Sequence, residues 1–357
     1  MKYRLMVLSL CLCLFTNPAQ AADEPVQAKS DKIWGDTKKK LTYMEGNVRI
    51  VQGSTIITTD STTVDQDKKV AVFENKLRLI HPDVTISADN LEYNFKKKSG
   101  TFSNHVILSR NEVKDAEGKV TKDAFKLTAA ELYFESDTKN FIAESQGEVE
   151  HKDFTGTADT IEYSDQKQEL LFNGNAKITR PSGETIAGAK VVINTQNNSI
   201  VVQNKVKLVN EDVTIRGGHL DYDYKQKQGT FSDNVILNRA ETRDDKGKVT
   251  KDAFKLRTRK LFFESETKNF HTQTQGVVEH KDFNGSAALI EYNDSLQQLK
   301  FKDNAHLKRP KGEEIKGDLI IIYIKDKTFT VANHVNIHFK VDTAEDNQVK
   351  KDNQEQD

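Results

Sequence analysis

Cysteine is almost missing from this sequence. The only two, Cys11 and Cys13, sit inside an apolar leader, so the rest of the chain can form no disulfide and no thiolate metal site. Long hydrophobic runs are missing as well. The one in the leader, Leu5 to Phe15, covers about eleven residues, whereas a helix needs about 20 to cross a bilayer. Neither sign of charge prevails, with 53 Lys and Arg against 54 Asp and Glu; a nucleic-acid partner would call for a basic excess. Proline is scarce, five in all, yet no helical period of useful length appears outside the leader. A hydrophobic share of 36% is low for a chain this long and fits thin two-layer β structure better than a thick helical core.

The leader itself is informative. Lys2 and Arg4, the apolar run, Pro18 and Ala19-Gln20-Ala21 have the three-part layout of a secretory signal peptide. Cleavage is expected near Ala21, giving an exported chain. A lipoprotein is the competing reading, but Leu10 and Leu12 precede the cysteines where a lipoprotein signal wants a small residue.

What is present is repetition. SGTFSNHVILSRNE begins at Ser99, and QGTFSDNVILNRAE begins at Gln228, 129 residues later. Within that long copy runs a shorter one: Asn or Gly, followed by alternating apolar residues. Its equivalent core positions are Val48, Leu77, Val106, Val149, Ala176, Val206, Val235, Val278, Ala305 and Val335, in steps of 29, 29, 43, 27, 30, 29, 43, 27 and 30 residues. Each 43-residue step holds a charged insertion, Asn111 to Asp123 and Ala240 to Asp252, expected to be a solvated hairpin tip. A second phrase runs Val84, Ile86, Ala88, then Leu91 and Tyr93, and again Val213, Ile215, then Leu220 and Tyr222. Alternation marks strands with one buried face, and the change of parity requires a corner near Ala88 or Gly217-Gly218. Turns are expected at Lys97–Gly100 and Gln226–Gly229.

These phrases resemble the OstA-type, LptA-like family of periplasmic lipopolysaccharide-transport proteins (the organic solvent tolerance-like N-terminal domain), in duplicated form. The matching residues are Val84, Ile86, Ala88, Asp89, Leu91, Tyr93, Phe102, Val106 and Leu108, and again Val213, Ile215, Leu220, Tyr222, Phe231, Asn234, Val235 and Leu237. The second copy departs where Ala88-Asp89 becomes Gly217-Gly218. The resemblance implies an all-β, elongated, open-ended β-jellyroll of about ten rungs, two OstA-like units in series. The expected division is a signal peptide over 1–21, a lead-in over 22–45, a first unit over 46–175, a second and continuous unit over 176–340, and a disordered polar tail over 341–357.

It also implies a non-enzymatic periplasmic carrier whose apolar trough holds acyl chains of lipopolysaccharide or a related acylated glycolipid. In the first unit the trough residues would be Ile50, Leu77, Leu79, Val84, Ile86, Leu91, Tyr93, Phe102, Val106, Leu108, Leu132 and Phe134. In the second they would be Val206, Leu208, Val213, Ile215, Leu220, Tyr222, Phe231, Val235, Leu237, Leu261 and Phe263. Implied partners are inner- and outer-membrane transport components docked on terminal edge strands, with head-to-tail self-association; no cofactor, metal or nucleic acid is implied. Periodicity alone favours side chains that simply fill the space between two sheets; the trough rests on the resemblance.

Two other features invite chemistry. Glu150-His151-Lys152-Asp153-Phe154 returns as Glu279-His280-Lys281-Asp282-Phe283, either a metal or acid–base site or a polar hairpin corner; one His per copy favours the corner. Trp34 reads as an end plug or a docking contact. No calcium loop, Gly-rich phosphate loop or Gly-x-Ser-x-Gly is present. The competing functions are a self-assembling envelope scaffold without cargo, and a β-helical polysaccharide-active enzyme, which would need carboxylates or an Arg laddered on one face.

Overall fold

A computed structural model describes residues 24–310 and 312–339; the leader and the polar tail lie outside them. The described residues contain strands and turns and no helix. They form two compact units, one ending at Gln203 and the other beginning at Asn204. Residue 175, where the sequence repeat ends its first unit, lies inside the strand Glu169–Thr179.

Each unit is an antiparallel meander in which every long strand is creased at its middle. In the first unit Leu41–Gln52, Thr55–Asp65, Val70–His81, Val84–Asn94, Ser99–Arg110 and Phe125–Glu135 pair in succession, and each pairing shifts register near its centre. The creases explain the Asn-rich phrase. Gly46-Asn47, Asn75-Lys76, Asn104-His105, Gly174-Asn175, Asp233-Asn234 and Asp303-Asn304 all have positive φ. Two consecutive left-handed residues turn the strand, and Gly, Asn and Asp adopt that conformation at least cost. On the alternate strands the crease is the parity change, with register shifts between Ser87 and Asn90 and between Arg216 and His219.

The creases divide the sheet into two leaves joined along a spine. Contacts between leaves show that they face each other. Phe125 of one leaf lies 6.0 Å from Phe141 and 5.2 Å from Tyr163 of the other. The Phe172 ring of one leaf covers Gly156 of the other, where a Cβ would stand 2.5 Å from Cε1. The second unit repeats this with Phe301 over Gly285. Pairing registers line up the inner side chains: Ile50, Ile57, Leu79, Ile86, Leu108 and Leu127 on one leaf, and Phe73, Leu91, Phe102 and Leu132 on the other.

The turns at the free margins follow their own chemistry. Asp36, Asp65, Asn94 and Asp223 accept backbone N–H bonds from residues two or three further on, and a Lys such as Lys40, Lys69, Lys98 or Lys227 closes the turn at positive φ. Gly100 and Gly229, expected as turn residues, have other work: a Cβ on Gly100 would meet Leu91 at 2.6 Å. The charged insertions are hairpins, Val113–Lys114 with Val120–Lys122 and Thr242–Arg243 with Val249–Lys251.

Three expectations need correction. The lead-in is already a rung, because Val26–Lys29 and Lys32–Asp36 pair with the two halves of Leu41–Gln52. Trp34 plugs nothing; it is half exposed and stacks on Tyr43 at 5.5 Å, since its neighbour Met44 takes the inward parity. The tenth rung is uncovered: Val335 is 48% exposed where Val48 is 1% exposed, because no further strand among the described residues lies over it.

Candidate functional site

Every residue assigned to the trough points inward and is at most 4% exposed. Strand pairing brings Leu91, Phe102 and Leu132 side by side, and likewise Leu220, Phe231 and Leu261. The inner surface is apolar at each rung, and in the middle of each unit it is closed by its own side chains.

In the middle of the first unit the margins are tied together by charge. Arg110, at the end of its strand on one leaf, has a side chain 1% exposed and lies 2.6 Å from Asp165 and 3.4 Å from Asp83. It also donates to the Tyr163 hydroxyl, which donates to Asp165 at 3.3 Å. Lys122, at the base of the inserted hairpin, reaches Asp165 at 2.5 Å, and Lys139 of the opposite leaf is paired with Asp83. The guanidinium sits over the Phe125 and Tyr163 rings at 5.9 and 5.2 Å.

The second unit carries the same set 129 residues later. Arg239 is paired with Asp294 and lies 2.9 Å from Asp212, Lys251 lies 2.6 Å from Asp294, and Lys268 lies 3.1 Å from Asp212. Burial works against the Asp294 charge, but Lys251 and Arg239 hold its carboxyl below the usual range. Burial pushes the Tyr292 hydroxyl up. The sequence reading gave none of these ten charged residues a role and placed only Lys122 and Lys251 in solvated hairpin tips; the signal available was their joint preservation at one offset.

Toward the last rungs of the second unit no such tie crosses the mouth among the described residues. The margins part around a cavity of about 460 Å³ floored by Phe283, Leu307, Ile322, Ile324 and Phe329. Arg309 and Lys327 stand at its rim. Arg309 pairs at 3.1 Å with Glu313 of its own hairpin and lies 5.1 Å from the centre of the Phe329 ring.

Comparison with known families adds one decisive observation. Residues 27–80, 85–199 and 214–328 each match the family described as LptA/(LptD N-terminal domain) LPS transport protein. The chain belongs to this family. A solved structure, LptH of Pseudomonas aeruginosa, titled the LptA homologous periplasmic component of a lipopolysaccharide transport device, is 17% identical; the alignment covers 52% of this chain and 94% of that one, with a TM-score of 0.16. No curated protein matches the chain.

Within the family fold the His–Asp phrase is a hairpin corner. His151 and His280 each accept the backbone N–H two residues on at Nδ1, at 3.2 and 3.1 Å, which leaves the proton on Nε2. Asp252, His280 and Asp282 lie close enough to share an ion, but Lys281 already neutralises Asp252 at 2.6 Å. Each imidazole stacks on the following Phe, at 4.6 and 4.7 Å, and burial lowers its proton affinity.

Proposed function

We propose that this protein is a periplasmic, non-enzymatic carrier that holds the acyl chains of lipopolysaccharide, or of a related acylated glycolipid, between the two leaves and passes it toward the outer membrane. The observation that carries the reading is the threefold match to a family of lipopolysaccharide-transport proteins. The apolar inner ladders supply the physical means, because each methylene buried there is worth about 0.8 kcal/mol. The unclamped mouth at Phe283, Leu307 and Ile322 is the natural loading point: its floor is apolar, and its rim carries charges of both signs, Arg309 and Lys327 beside Glu313 and Asp282. Repeated rungs of similar depth give cargo near-equal resting places along a unit.

The uncovered last rung serves partners of the same fold. Val335, Ile337 and Phe339 are about half exposed, and Asn336–His338 pairs on one side with Glu314–Tyr323. A strand added to its free side would cover them. Inner- and outer-membrane transport components, or a second copy of this chain, would join in this way.

Photo-crosslinking in cells tests the carrier reading. A probe at Leu91 or Phe231 should capture labelled lipid A, and a probe at outward-facing Glu92 should not. Equal labelling at inner and outer positions would overturn it. The close packing of the interior favours one other reading, an envelope scaffold without cargo. Mass spectrometry of lipid extracted from purified protein separates the two, since a scaffold yields none.

A further inference from the structure

The charged clusters at the mouth are built in a way that closing the fold does not require. A buried ion network is a weak source of stability, because desolvation offsets its attraction and apolar side chains of similar volume serve as well or better. Here the cost is not fully met: Arg110 Nε and Arg239 Nε have no hydrogen-bond partner. Yet both units keep an Arg, two Asp, two Lys and a Tyr in the same arrangement. Apolar margins would stay shut once joined. A charged margin beside solvent behaves differently, since each ion regains water as the leaves part. Its two lysines are already about one-quarter exposed, 26% for Lys122 and 25% for Lys139. Open and closed states then lie close in free energy, as a reversible gate requires.

The partners also lie in the right places. Arg110, Asp83 and Lys122 belong to the margin of one leaf, while Asp165, Tyr163 and Lys139 belong to the other, so three of the four ion pairs, Arg110–Asp165, Lys122–Asp165 and Lys139–Asp83, cross the mouth, and Arg110–Asp83 lies within one margin. Lys122 ties the inserted hairpin into the same cluster.

We propose that each cluster is a latch: Arg110–Asp165–Asp83 with Lys122 and Lys139 in the first unit, and Arg239–Asp294–Asp212 with Lys251 and Lys268 in the second. Closed, it seals the side of the jellyroll and restricts loading to the unclamped mouth. Parted, it lets the headgroup of an acylated lipid, which rides outside the leaves, pass that rung while the chains stay within. The latch rests on the carrier reading for its purpose but not for its mechanics, and the two can be tested apart.

The test compares the wild-type chain, Asp165→Asn, and Arg110→Met/Asp165→Leu, which replaces the central tie by an apolar contact. Amide hydrogen exchange at the margins, around residues 82–85, 108–111 and 163–166, reports opening without any lipid. Uptake of the fluorescent fatty acid cis-parinaric acid reports admission. Asp165→Asn should speed margin exchange and uptake at least fivefold, with exchange at the spine unchanged. Arg110→Met/Asp165→Leu should slow both about tenfold. If the double variant does not fold, Lys122→Met, which leaves the Arg–Asp core intact, should still speed margin exchange. Margin exchange that is the same in all folded forms overturns the latch. Margin exchange that responds, in a protein that takes up no probe, overturns the role in lipid passage and the carrier reading with it.

Discussion

Phe231 measures how tightly the inner face is packed. Its ring is fully buried and sits in register between Leu220 and Leu261. Truncating such a ring removes its transfer free energy and leaves a cavity, together about 3–5 kcal/mol. An acyl chain lying through the gap would return about 0.8 kcal/mol per methylene, so four methylenes restore roughly 3 kcal/mol. Phe231→Ala should therefore unfold in urea with a loss of about 3–5 kcal/mol, followed by far-ultraviolet circular dichroism. Saturating decanoyl amphiphile should recover more of that stability in the variant than it adds to wild type. A loss below about 1 kcal/mol would show that the ring sits in slack space, against every estimate for a packed core. Equal stabilisation of both proteins by the amphiphile would refute the idea that the interior admits chains.

Other consequences can be checked one by one. Gly285→Ala places a methyl 2.5 Å from Phe301 Cε1, so the ring must shift; a destabilisation of about 1–3 kcal/mol is expected in thermal unfolding. At the crease, Asn75 has φ 65°, and Asn75→Val should cost about 1–2 kcal/mol in urea where Asn75→Gly costs little. Burial lowers the proton affinity of His151 and His280, so the unfolded chain takes up protons near pH 6.5 that the folded rings refuse. Their contribution is complete above that pH and is lost as pH falls below it; urea midpoints from pH 8 to 5 should drop less steeply in His151→Asn/His280→Asn. Asn336→Pro takes a main-chain N–H from the last strand, Asn336–His338, and should abolish the proposed head-to-tail association in sedimentation velocity.

Much of the fold was legible because backbone and burial leave marks of fixed period. Alternation marked the strands, and the parity change at Ala88 marked a crease. The recurring Asn was visible too, although only the structure reveals it as half of a left-handed pair, such as Asn75-Lys76. The first rung was missed because Val26–Lys29 and Lys32–Asp36 are half-strands too short to show a period. The ion clusters were missed for a different reason. Asp83, Lys139 and Asp165 sit among turn residues that are charged everywhere in this chain, and nothing local distinguishes a charge facing water from one facing the opposite leaf. Which margins meet is decided by the bend of the whole sheet. The apolar lining was readable residue by residue, while its closure in the middle of each unit was not.

The creases have a consequence for how such a protein can change. The fold line is drawn by main-chain handedness at pairs such as Gly46-Asn47 and Asn104-His105, independent of the greasy residues enclosed. Interior girth can then be retailored, larger or smaller, while the hem stays put. A randomised library that spares those pairs should yield folded members far more often than one that spares an equal number of lining positions.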